Sequence, residues 1–239
     1  MSLLAITSEL ERLADERDAL HLQRFFKTGP GQYGEGDRFR GIRVPALRQL
    51  VRTHANASLA NVLSLLRSLY HEDRLLALLI LVRQYERGDP GAQKSIYDLY
   101  LDNTRYINNW DLVDLSAGAI VGGHLSQRSR APLRKLTQSK SLWERRIAVL
   151  ATFHFIKHGE FDETLSLAEM LLEDREDLIH KAVGWMLREV GNRDGAAERA
   201  FLARHYRVMP RTMLRYAIEK FPEDERVSYL RGTAEAVSV

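Results

Sequence analysis

Trp110-Asp111-Leu112-Val113-Asp114 sets an indole and a carboxylate four residues apart. On a helix that spacing puts both side chains on one face. A second tryptophan, Trp185, lies in Ala182-Val183-Gly184-Trp185-Met186-Leu187-Arg188. An electron-rich ring beside a negative charge makes a seat for a cation. In a stack of helical repeats, equivalent faces of successive units line one surface. Trp110, Asp114 and Trp185 are therefore expected to converge on a shared concave face.

The elements that must carry them read as helices. Ala60 to Leu69, Arg74 to Tyr85, Leu112 to Ile120, Arg145 to Phe155, Thr164 to Leu172 and Ile179 to Val190 all show apolar residues at three- and four-residue spacing. No run alternates as a strand would. Gly88-Asp89-Pro90, Lys157-His158-Gly159 and Val190-Gly191-Asn192 mark helix ends. Ala148, Ala182 and Ala217 recur at steps of 34 and 35 residues, and similar steps back reach Asp114 and Ala77. This period predicts an all-α fold, an α-solenoid of stacked HEAT- or armadillo-like hairpins forming one domain over residues 1–239. The same register puts Arg146 on an inner helix with Trp110, Asp114 and Trp185.

Composition narrows the function classes. The chain has 239 residues, 45% of them hydrophobic, enough for a substantial core. Mean hydropathy is −0.31, and the longest apolar runs are too short to span a bilayer. The N-terminus has no basic lead before it turns acidic, so no secretion signal is expected. With no cysteine, disulfide and thiol chemistry are excluded, and a reducing cytoplasm fits. Seven of the 35 basic residues are lysine and the other 28 arginine, a bias that suits phosphate but also follows from a GC-rich genome. Acids nearly balance bases at a net charge of +3, so any nucleic-acid surface has to be a local patch.

The N-terminal third is less regular. Phe25-Phe26-Lys27 leads into a loop with glycines from Gly29 to Gly36. No Lys-Ser or Lys-Thr follows its last glycine, so a tight connector with positive φ is expected rather than a phosphate cradle. Arg38, Arg40, Arg43 and Arg48 follow and either touch a phosphate backbone or form a solvated basic face. His154 and His158 lie four apart without a third ligand at good spacing, so no metal site is expected, and the other histidines form no constellation. Trp143, at a helix entry, reads as packing.

Together these segments resemble the AlkD-like DNA alkylation repair enzymes. Arg40-Gly41-Ile42-Arg43-Val44-Pro45, Asn108 through Asp114, Trp143-Glu144-Arg145-Arg146-Ile147-Ala148, Lys181 through Glu189 and Met209 through Lys220 occur in the family's order. The resemblance implies a HEAT-like repeat DNA glycosylase of base excision repair that removes N3- and N7-alkylated purines such as 3-methyladenine and 7-methylguanine. It implies double-stranded DNA as partner, action on the nucleoid in the cytoplasm, no cofactor, no metal and a monomer. By position, Asp114 matches the catalytic aspartate, Trp110 and Trp185 the aromatic pair that binds substrate, and Arg146 and Arg188 the residues that grip DNA. The Arg145-Arg146 pair leaves a one-residue ambiguity. Phe25, Phe26 and Tyr33 are all candidates for a further aromatic.

The chemistry is consistent with those residues. Alkylation at N3 or N7 makes the base cationic and weakens its glycosidic bond. Positive charge then passes to the sugar as the bond breaks, where a carboxylate stabilises it. An open solenoid face leads one to expect a shallow groove rather than a deep pocket for a flipped base. The rival readings are a non-catalytic protein that binds damaged or branched DNA, and a protein–protein scaffold.

Overall fold

A computed structural model describes residues 2–234. Its architecture is all-α, of the α-solenoid class. Among the described residues no strand forms, and a single bridge pairs Arg38 with Tyr70. Among the described residues no helix is long and apolar enough to cross a membrane. The helices fall into two compact units, residues 1–120 and 121–239.

The first unit contains α1 (Leu3–Arg12), α2 (Glu16–Phe25), α3 (Val44–Thr53), α4 (Leu59–Leu66), α5 (His71–Arg87), α6 (Pro90–Asp102) and α7 (Trp110–Asp114). Side-chain oxygens of Ser2, Asp15, Ser58, Asp89 and Asn109 accept from the first free amides of their helices, which fixes the starts. Helix α5 is central. Leu76, Ala77, Leu78, Ile80 and Leu81 are fully enclosed, and α3, α4, α6 and α7 pack around it. Its opening turn is also buried, although it reads His71-Glu72-Asp73-Arg74. Gly29 to Gly36 forms the tight connector the sequence predicts, with positive φ at Gly31 and Gly36.

The second unit contains α8 (Gly123–Leu125), α9 (Ala131–Thr137), α10 (Leu142–Ala151), α11 (Phe153–Lys157), α12 (Asp162–Met170), α13 (Asp177–Gly191), α14 (Gly195–His205), α15 (Arg211–Ala217) and α16 (Glu223–Arg231). Helix α13 is its axis. Ile179, Ala182, Val183, Met186, Leu187 and Val190 form one buried stripe at helical spacing. Helices α10, α14 and α15 pack on it. Gly184 permits the α15 contact, since a Cβ there would lie 2.4 Å from the Met213 carbonyl.

Of the five positions at the predicted steps, Ala77, Ala148, Ala182 and Ala217 are fully buried and Asp114 is half-buried. One predicted element breaks. Leu112 to Ile120 is not one helix, because α7 ends at Asp114 and a π-helical turn covers Gly118–Gly122. Ser116 turns its hydroxyl onto the Leu112 carbonyl at 2.5 Å, and the glycines that follow lack helix propensity.

Candidate functional site

The first unit encloses a cleft of about 650 Å³. Four helices present one face each to it. Asp18, His21, Leu22 and Phe25 of α2 follow helical spacing, as do Trp110, Asp111 and Asp114 of α7. Arg43, Val44 and Arg48 at the start of α3 form another wall, and His71, Glu72 and Leu75 of α5 the floor. The site is therefore deeper than the shallow groove expected from an open solenoid face. The difference comes from α2, which adds a wall outside the repeat pattern.

Trp110 and Asp114 both line the cleft, one turn apart and half-buried. Of the three candidate aromatics, the two phenylalanines line the cleft beside Trp110. Phe26 stacks on Trp110 with ring centres 5.2 Å apart, and Phe25 meets the same indole edge-on at 6.0 Å. Phe26 is buried while Phe25 is 55% exposed. Tyr33 is not part of the lining.

Beneath Trp110 lies a polar network that the sequence did not disclose. His71 is 2% exposed, and its two ring nitrogens face carboxylates: Nε2 is 2.8 Å from Asp111 Oδ2 and Nδ1 is 3.2 Å from Asp37 Oδ2. Asp37 also accepts from Arg74 at 2.7 Å and from Asn109 Nδ2 at 3.3 Å. Asn109 in turn caps the Trp110 amide at 2.8 Å. Phe26 and Phe39 lie against the His71 ring at 4.8 and 4.7 Å. The expectation that the remaining histidines form no constellation is wrong at His71. Its partners are 34 and 40 residues away, so no local spacing could reveal them.

The neighbouring acids are equally well bonded. Glu72 accepts the amides of Arg40, Gly41 and Ile42 at 2.9, 2.8 and 3.1 Å. Gly41 has φ of +81°, and a Cβ there would lie 2.0 Å from the Asp15 carbonyl, so the turn that feeds Glu72 requires glycine. Asp73 holds Arg40 through two contacts of 2.7 and 3.0 Å. Arg40 therefore serves an internal ion pair, whereas Arg43 is 77% exposed beside Asp18. Burial opposes charge on Asp37, yet His71, Arg74 and Asn109 hold its carboxyl below the usual range. Burial also opposes charge on His71, but Asp111 and Asp37 raise it to about 8.

In the second unit, Trp185 is half-buried on α13, with Nε1 donating to Glu189 at 3.2 Å and Phe153 at 6.1 Å. Neither this ring nor Trp110 is sealed in the interior. Arg188, three residues on, pairs with Glu219. Arg145 pairs with Asp174 at 2.6 Å and reaches the Ser139 carbonyl at 3.0 Å. Arg146 is 4% exposed and donates to the Leu178 carbonyl at 2.6 Å. The His154 and His158 rings sit 4.6 Å apart, and among the described residues no group of three ligand-type side chains forms.

A family model described as DNA alkylation repair enzyme matches residues 6–221. Comparison with curated proteins gives no match. Among solved structures, one described as a predicted DNA alkylation repair enzyme from Enterococcus faecalis superposes with a TM-score of 0.67. It shares 14% identity, over 88% of this chain and 97% of that one. At that identity the likeness speaks for the fold.

Proposed function

We propose, from the premise that this chain belongs to the family of DNA alkylation repair enzymes, that it is a monofunctional DNA glycosylase excising cationic N3- and N7-alkylated purines. Family membership supports a role in DNA repair. The finer reading rests on one observation: Asp114 stands on the wall of an aromatic cleft, one helical turn from an indole stacked on Phe26.

In this reading the alkylated nucleotide enters the cleft and its positive base lies against Trp110. Cation–π attraction of roughly 0.5–2 kcal/mol favours the charged form over a neutral base. Asp114 faces the sugar and stabilises the charge that grows there as the glycosidic bond breaks. Water adds at C1′ and gives up a proton to Asp114, and the base departs with the bonding electrons, which neutralise its charge. Trp185, in the second unit, is a DNA contact by its family position. Phosphate contacts fall to Arg48 and, in exchange for their partly exposed partners Asp18 and Glu219, to Arg43 and Arg188. Arg145 and Arg146 are bonded within the protein, and here they fix α10 rather than touch phosphate.

Base release from a duplex holding one 7-methylguanine tests the reading. Wild type releases the free base. Asp114→Asn binds the duplex but loses roughly a hundredfold or more in rate, the scale of removing one electrostatic stabiliser of a transition state. A uracil duplex is released far more slowly by wild type. Equal rates for the two lesions, or an Asn variant as fast as wild type, would overturn the assignment.

A further inference from the structure

We infer that His71 is a positioning residue for this cleft: as an imidazolium it ties α7, and with it Trp110 and Asp114, to the loop that ends at Asp37. The inference rests on the reading of the cleft as the excision site. A histidine whose two ring nitrogens each face a carboxylate oxygen can donate to both only when it is doubly protonated. At 2.8 Å from Asp111 and 3.2 Å from Asp37, the ring as a cation donates to both carboxylates.

The connection to the site runs along two routes. Asp111 is the second residue of α7 and lies between Trp110 and Asp114 in the chain; its other oxygen, Oδ1, accepts the Leu112 amide at 2.9 Å. Asp37 reaches the same helix start through Asn109, which caps Trp110. The His71 ring also backs Phe26, the ring on which Trp110 stacks. A five-residue helix has little stability of its own, so its pose is set by these tethers.

The charges around His71 make its proton consequential. From the loop comes Asp37, and from α7 come Asp111 and Asp114. Its own helix supplies Glu72, Asp73 and Arg74, and the segment before α3 supplies Arg40, paired to Asp73. Across the cleft stand Asp18 and His21 of α2 and Arg43 and Arg48 of α3. Arg74 and Arg40 each have a carboxylate already, so Asp111 depends on His71 alone for a cation among the contacts seen. Loss of the proton sets an imidazole lone pair against a carboxylate oxygen. One of the two bonds must then break: loss of the Asp111 bond frees α7 directly, and loss of the Asp37 bond loosens the Asn109 cap on Trp110.

The His71 value of about 8 places that release just above neutrality. A protein with Trp143→Phe and Trp185→Phe leaves Trp110 as the sole indole. Without DNA, its emission is expected to shift with a midpoint near pH 8, and His71→Gln is expected to abolish the shift. Excision by the otherwise wild-type enzyme falls over the same range. At pH 7, His71→Gln lowers kcat roughly ten- to a hundredfold with KM little changed, the scale of a small misplacement of reacting groups. The double variant His71→Gln/Asp111→Asn, which removes cation and anion together, recovers much of that loss and shows no alkaline limb. It also serves if the single variant folds poorly.

Emission that stays flat from pH 6.5 to 9.5, or a shift that survives His71→Gln, overturns the inference. Because the emission is read without substrate, a failure of the glycosylase reading leaves this test standing. Emission that titrates as described in a protein that releases no base would sink the enzyme assignment and leave the tether intact.

Discussion

Below Trp110 the first unit buries four acids, Asp37, Glu72, Asp73 and Asp111, each at or below 8% exposure. They are answered by His71, Arg74, Arg40 and a row of backbone amides. In the second unit Glu198 of α14 is 2% exposed, and among the described residues its Oε1 has no hydrogen-bond partner. It lines a cavity of about 220 Å³ with Arg188, Lys220 and Phe221. The Arg199 and Arg188 charges fail to offset its burial, which pushes its carboxyl up to about 8. Around His71 the buried acids are met by donors, whereas the pocket around Glu198 leaves its acid to hold a proton. Charged acids in a rigid donor frame suit a site that has to face a cationic ligand without reorganising. A lone protonated acid asks little of its neighbours and gives them little direction.

The largest expected effect breaks the first arrangement. Asp37→Leu leaves His71 and Arg74 buried with a partner missing, and removal of one member of a buried charged pair costs about 3–5 kcal/mol. Urea unfolding at pH 7 should show a loss of that order. A loss below roughly 1 kcal/mol would mean that the network relaxes or admits water, and that its frame is not rigid.

Glu198 should respond in the opposite sense. Holding a proton at pH 7 against an ordinary carboxyl value of 4.5 costs on the order of 3 kcal/mol. Glu198→Gln removes that cost but still buries an amide, so a gain of about 1–3 kcal/mol is expected. The pH windows separate the two regions. Glu198 binds its proton more tightly folded than unfolded. Its favourable contribution is complete below pH 4.5 and lost as pH rises through about 8. The His71 contribution has the same sign but starts to fall only above 6.5. Between pH 4.5 and 6.5 the downward slope that Glu198 contributes should vanish in Glu198→Gln and persist in His71→Gln. If the two variants flatten the same window, the two regions are not neutralised by different means.

The helical class was legible in the sequence because its signal is local and periodic. Ala77, Ala148, Ala182 and Ala217, at near-regular steps, are all fully buried. Trp110 and Asp114 were legible because both sit on one helical turn. The network was not. His71-Glu72-Asp73-Arg74 reads as a solvated helix start, and only partners far along the chain turn it into buried structure. The cleft was missed for a related reason. Helix α2 is polar along much of its length, and Leu22, Phe25 and Phe26 form too short an apolar stripe to announce that it closes a wall. The arginines show the limit of composition. Their number suggests phosphate, but only their contacts distinguish Arg48 from Arg145.

Those two arginines give the smallest and most specific test. Arg48 is exposed at the cleft, and among the described residues no ion pair holds it. Arg145 lies 14% exposed against an Asp174 carboxylate that is itself 6% exposed. A phosphate contact releases counterions, so each one lost reduces the dependence of log affinity on log salt by about 1. Arg48→Ala should lower that slope by about 1 on any duplex and leave stability unchanged. Arg145→Ala should lower stability, since it strands Asp174, and leave the slope where it was. The reverse pattern would show that the second unit exchanges its internal pairs for DNA on binding. The charges of the two units would then differ in the free protein alone, and the fixed donor frame under Trp110 would be the one part of the contrast that survives in the complex.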